Sequence, residues 1–127
     1  MVSRDMQAHL GTVAVTVLVL VSVQYAGLLP DSGPVLGVVA LVAYGAIFGG
    51  AHLYLAVRGE DGMVSVRSRW RYLATLSVVL VAGIVYVVAD GATVGPLAVR
   101  SLALGVAGIA TVGYLGVESI DAYRSAL

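Results

Sequence analysis

"HLGTVAVTVLVLVSVQYAGLL", residues 9–29, is rich in valine and carries no Asp, Glu, Lys or Arg. A bilayer core of about 30 Å is crossed by roughly 20 apolar residues at about 1.5 Å per residue, which this run supplies. Backbone N–H and C=O groups in hydrocarbon must be satisfied within the segment. A valine run of this length therefore reads as a helix, despite valine's modest helix propensity.

Three further stretches have the same character: about 34–57, 71–89 and 96–117. Apolar residues make up 60% of the chain and charged residues 11%, with a mean hydropathy of +1.00. That leaves too little polar surface to enclose a water-soluble body of this size. The expected fold is an all-α membrane protein, a four-transmembrane-helix bundle of two hairpins. Residues 1–127 form a single four-span domain with a cytoplasmic loop at about 58–70. Arg4 before the first span imitates a secretory signal. The apolar run is longer than a signal core, however, and "QYA" (24–26) puts glutamine where a cleavage site wants a small residue, so the span is read as retained.

Arg4, Arg58, Arg67, Arg69, Arg71 and Arg124 fall on the side of the middle loop and both termini, against Arg100 alone on the other. The positive-inside rule then places the N- and C-termini in the cytoplasm. This imbalance argues against small transporters that insert in both orientations, and no acidic residue lies within the first span as a multidrug transporter of this size would need. A zero formal net charge offers nucleic acid no general attraction. The absence of Lys and Asn reads as the codon bias of a GC-rich prokaryotic genome, and the expected location is the inner, cytoplasmic membrane as a multi-pass protein. "GP" at 33–34 and at 95–96 invites a tandem-repeat comparison of the two hairpins, but the other identities at that offset are near chance for so biased a composition. Each of these prolines is expected in the first turn of the helix that follows.

Helices in lipid associate through small residues and a few polar contacts. Gly45, Gly49 and His52 cluster on one side of the second span, and Ser101, Gly105, Gly108 and Gly116 on one side of the fourth, so these spans are the expected close-packing faces. Tyr54, Trp70, Tyr72 and Tyr114 near the cytoplasmic ends, with Tyr25 and Tyr86 near the outer ends, suit an interfacial belt. In "VRSRWRY" (66–72), Arg67, Arg69, Trp70 and Arg71 read, with Arg58, as a cationic collar for lipid headgroups and as the topology signal. Arg100 is expected to pair with Asp90 or Asp31 at the outer face.

Charged groups inside a span are expensive and point to function. His52 lies about 8 Å of helix inside the second span, by about 1.5 Å per residue. At a similar depth come Thr12 and Thr16, Thr75, Thr111 and Tyr114, with Tyr44 nearer mid-membrane; these are the candidate polar intramembrane site. Asp31, Glu60, Asp61, Asp90, Glu118 and Asp121 lie at or beyond span ends, and Glu60 with Asp61 reads as a solvated loop. His9 sits at the membrane edge and His52 deeper, a poor arrangement for ligands on opposite sides of one haem iron. Cysteine is absent, and no metal-ligand spacing, nucleophile–base set or P-loop occurs. No cofactor, metal or catalytic residue is expected, and an enzyme is disfavoured. The expected role is accessory or structural, through helix–helix association with a second copy or a membrane-protein partner in the lipid bilayer. The alternative is a small ion or solute transporter or channel with its polar site around His52.

Overall fold

The computed structural model describes residues 2–127. Four helices account for most of the chain: α1 (Arg4–Tyr25), α2 (Pro34–Val57), α3 (Val66–Val88) and α4 (Val99–Ala126). A two-residue β-hairpin, β1 (Thr93–Val94) with β2 (Leu97–Ala98), precedes α4. With 22, 24, 23 and 28 residues, all four helices are long and apolar enough to cross a membrane. At about 1.5 Å per residue they extend about 33–42 Å.

Local chemistry sets the ends. Ser3 caps α1, its Oγ accepting from the Met6 amide at 3.2 Å. The other end closes with Gly27 at φ 70 and a bond from the Leu28 amide to the Val23 carbonyl at 3.1 Å, a Schellman closure that a left-handed residue permits. Pro34 occupies the first turn of α2, where its missing N–H leaves no bond unmade. Pro96 differs from expectation: it is not helical. Gly95, at φ 58, and Pro96 form the two-residue turn between β1 and β2, a hairpin connection that favours glycine at its first position, so α4 begins only at Val99. In turn, α3 starts at Val66, because Asp61 Oδ1 accepts from the Val66 amide at 2.8 Å and Ser65 Oγ from the Ser68 amide at 3.2 Å. Residues 66–70, read above as loop, are therefore helical.

The chain divides into two compact units, one up to Leu73 and the other Ala74–Leu127. In the first, α1 and α2 run antiparallel, with Arg4 against Tyr54 and Thr12 against Gly50. Gly49, Ala51, Leu55 and Ala56 are its buried small and aliphatic positions, all on α2. The single buried residue of α1 is a charged one, Asp5. In the second unit, Ala82 of α3 and Ala103 of α4 are buried. A cleft of about 460 Å³ between those helices is almost wholly aliphatic, lined by residues such as Val78, Val85, Leu102 and Val106. The hairpin is joined to its surroundings by the Val99 amide donating to the Ala92 carbonyl at 3.0 Å.

Candidate functional site

The polar and aromatic side chains of the first turns of α3 have fates that differ by helical angle. Arg67 and Trp70 are exposed, whereas Arg69 has no exposed surface and Tyr72, three residues on, is half-buried. Burying a guanidinium is costly unless its charge is paired and its N–H groups are bonded. Asp5 supplies the pairing: Arg69 Nη2 donates to Asp5 Oδ1 at 2.5 Å, between residues that are far apart in sequence. Arg69 Nη1 lies 3.0 Å from His52 Nδ1. Arg69 Nε is buried without a hydrogen-bond partner.

The second contact fixes the state of the imidazole. A guanidinium has donors only, so His52 Nδ1 must accept, which makes the ring neutral with its proton on Nε2. The His9 ring meets it edge-on at 5.3 Å and 80°, and the Tyr72 ring at 4.7 Å and 53°. Tyr72 donates its hydroxyl to the Phe48 carbonyl at 2.9 Å, one turn before His52 on α2. Asp5 and His9 of α1, His52 of α2 and Arg69 and Tyr72 of α3 thus form one polar cluster, buried at Asp5 and Arg69 and half-buried at the three rings.

The α2–α3 loop closes over it. Met63 donates its amide to Asp5 Oδ2 at 3.4 Å, and a Cβ on Gly62 would collide with that same oxygen. Glycine is required at 62 so that the backbone can approach the carboxylate. Further out, Glu60 accepts from Arg4 Nε at 3.1 Å and Arg58 Nε at 3.0 Å. Arg4 Nη2 also donates to the Tyr54 hydroxyl at 3.1 Å, and both guanidiniums lie near the Tyr54 ring, at 5.7 and 5.5 Å.

The hydrogen bond from Arg4, then that from Arg58, holds the Glu60 carboxyl below its usual range. A carboxyl depressed by folding contributes stability above its unfolded pKa and loses it as pH falls through the folded value. The tie between the start of α1 and the loop should therefore persist through neutral and mildly acid pH. A carbon-detected NMR titration of Glu60 checks this: a midpoint below that of an unpaired glutamate is expected, and one at or above it contradicts the contact.

The hydroxyls grouped with His52 from sequence have other partners. Thr12 donates to the Ala8 carbonyl, Thr16 to Thr12 and Thr111 to Ala107, each at 2.8 Å within its own helix. Tyr44 is exposed and stacks on Phe48 at 6.2 Å. Thr75 and Tyr114 are half-buried positions of α3 and α4 in the second unit. What faces His52 is an arginine, a histidine and a tyrosine. Arg69, read above as a headgroup ligand, lies in this cluster, while Arg58, Arg67 and Trp70 keep exposed side chains and Arg71 is half-buried. Asp5 belongs to the cluster although its place near the chain start gives it no signal in the sequence beyond sitting one helical turn before His9.

Of the glycine-face residues, Gly49 is buried and Gly45 half-buried. The close α1–α2 approach falls at the next glycine, Gly50, where a Cβ would collide with Thr12 Cγ2. On α4, Ser101, Gly105, Gly108 and Gly116 are exposed, and a Cβ added at any of these three glycines meets nothing within 4 Å. Arg100 Nη1 lies 3.4 Å from Asp90 Oδ1, and its Nε donates to the Tyr86 carbonyl at 2.8 Å.

Among the described residues, no group of three or more His, Asp or Glu side chains is placed to hold a metal ion. Comparison with known protein families, curated proteins and solved structures yields no match to this chain.

Proposed function

We propose that this chain is a small, non-catalytic, multi-pass membrane protein of accessory or structural type, working through helix–helix association with a second copy or another membrane protein. The inner, cytoplasmic membrane of a prokaryote, with both termini on the cytoplasmic side, fits the arginine distribution. The observation that carries the association reading is the two-sidedness of α4. Ala103, Ala107 and Ala110, on one side, are buried or half-buried; Ser101, Gly105, Gly108, Val112 and Gly116, on the opposite side at about 100° per residue, are all exposed. Small residues in that arrangement let a neighbouring backbone approach closely enough for dispersion contacts to hold two helices together in lipid.

The alternative, ion or solute movement at His52, requires an imidazole free to exchange protons or meet solute. Here Nδ1 is engaged by Arg69, and His9 and Tyr72 lie against the ring. That geometry suits a structural tie better than a relay.

The test is the mass of the assembly after mild detergent extraction. The expected result is a complex larger than one chain, reduced to the monomer by Gly108→Leu, whose side chain would fill the open face. A wild-type monomer that catalyses ion or solute flux in proteoliposomes would overturn the reading.

A further inference from the structure

Two grooves lie end to end along the α1–α2 pair. The first, about 540 Å³, is lined at its polar end by Arg4, Gln7 and Tyr54 and deeper by Gly11, Thr12 and Gly50. The second, about 520 Å³, shares Val15, Thr16 and Ala46 with the first and continues between aliphatic side chains such as Val19 and Val42. Because the two grooves share Val15, Thr16 and Ala46, the walls grade from cationic and hydrogen-bonding to aliphatic along the helix pair, a trough in two sections. The Thr12 and Thr16 hydroxyls are bonded to their own helix, so no free donor interrupts the apolar stretch there. Gly11, at which a Cβ would meet nothing within 4 Å, leaves the trough wide where it would otherwise be narrowed.

Charge at the polar end is not balanced. Arg4 and Arg58 share the single carboxylate of Glu60 and are about half exposed, at 51% and 54%. Among the described residues each guanidinium keeps N–H donors directed to no acceptor, because Arg4 uses Nε and Nη2 and Arg58 only Nε. From Arg4 to the Val15–Val19 region is about 17–22 Å of helix at about 1.5 Å per residue, which matches a headgroup plus one leaflet of a core about 30 Å thick.

We propose that this trough is a binding site for an anionic phospholipid, with the phosphate on Arg4 beside Arg58 and Tyr54 and one acyl chain along Gly11, Thr12 and Val15. Guanidinium and phosphate make charge-assisted hydrogen bonds, and the aliphatic walls replace neighbouring lipid tails. The site rests on the membrane reading of the chain and is independent of what α4 contacts.

The test places the full chain in nanodiscs of phosphatidylcholine containing a minor fraction of phosphatidylglycerol. Lipid retained after transfer to detergent is then counted by native mass spectrometry. The wild type should retain phosphatidylglycerol in preference to phosphatidylcholine. Arg4→Ala should lower that retention about tenfold, in line with the loss of a charged hydrogen bond. Gly11→Leu, which fills the trough from an open position without touching an arginine, should lower it as well, and Arg124→Ala, an exposed arginine near the end of α4 and outside the trough, should not. Equal retention of the two lipids by the wild type, full retention by Gly11→Leu, or equal losses from Arg4→Ala and Arg124→Ala would each overturn the proposal. Failure of the wild type to enter nanodiscs would instead sink the membrane reading beneath it.

Discussion

Arg69→Leu is expected to destabilise the first unit by about 3–5 kcal/mol, the range for removing one partner of a buried ion pair. The loss of attraction is the smaller part of this. Asp5 is 8% exposed and would keep a buried carboxylate facing backbone amides, Met63 among them, with no countercharge from Arg69. His52 would lose the donor that holds its Nδ1, and the start of α1 would lose its tie to α3. The double substitution Asp5→Leu with Arg69→Leu removes both charges and should recover most of the loss, since an apolar pair of similar volume is often neutral or better than the ion pair it replaces. Trp70, the only tryptophan, is the next residue on α3 and reports the change in a detergent-mediated unfolding titration followed by fluorescence. A loss below about 1 kcal/mol for Arg69→Leu alone, the size expected of an exposed pair, would mean that the pair is solvated.

Gly50→Ala should cost about 1–3 kcal/mol, the usual range for forcing an extra carbon into a packed contact. The new Cβ collides with Thr12 Cγ2, and Thr12 cannot readily turn away. Its side chain is β-branched, and its hydroxyl is held by the Ala8 carbonyl at 2.8 Å. Thr12→Ser deletes the offending methyl and keeps the hydroxyl, so Gly50→Ala with Thr12→Ser should return close to wild-type stability in the same titration. If the double variant is no better than Gly50→Ala alone, α1 and α2 are not in contact at this point.

These two contacts also separate what the amino-acid sequence makes legible from what it does not. Four long apolar runs are visible because the length that would cross a bilayer can be read directly along the chain, and α1 to α4 are each long and apolar enough to do so. The start of α3 is not visible in the same way. Arg67, Arg69 and Arg71 look like loop charge, while the helix is set by Asp61 and Ser65 capping amides a few residues ahead. Pro96 looks like a helix start for the good reason that Pro34 is one; only the hairpin pairing of Thr93 with Ala98 assigns it to a turn instead.

In the candidate site, His52 stands out because histidine is rare in a membrane span, but its partner is remote. Asp5 and Arg69 carry no mutual signal in the chain, because each sits at a span end where charge is ordinary and unremarked. Helical spacing offers one hint, since Asp5 and His9 are four apart and share a face of α1. A polar pair on one face of an otherwise apolar helix requires an answering group on another element. Periodicity cannot say which arginine of Arg67, Arg69 and Arg71 provides it, and burial decides in favour of Arg69.

The polar cluster, the loop over it and the trough along α1 and α2 all belong to the first unit, while α4 in the second presents small residues to its surroundings. Fixed polar contacts thus define the hairpin, and the proposed association rests on the exposed glycine face of α4. The measurement that addresses this division of roles most directly is cross-linking in intact membranes. The chain has no cysteine, so one introduced thiol reports without background. Val112→Cys lies in the middle of the open face between Gly108 and Gly116, and Ala107→Cys lies on the opposite, half-buried side. Association through α4 predicts rapid oxidative or short-linker cross-linking of the Val112→Cys chain, to its own kind or to one partner protein, and little for the Ala107→Cys chain. A Val112→Cys chain that stays monomeric, or that cross-links no faster than Ala107→Cys, would contradict it.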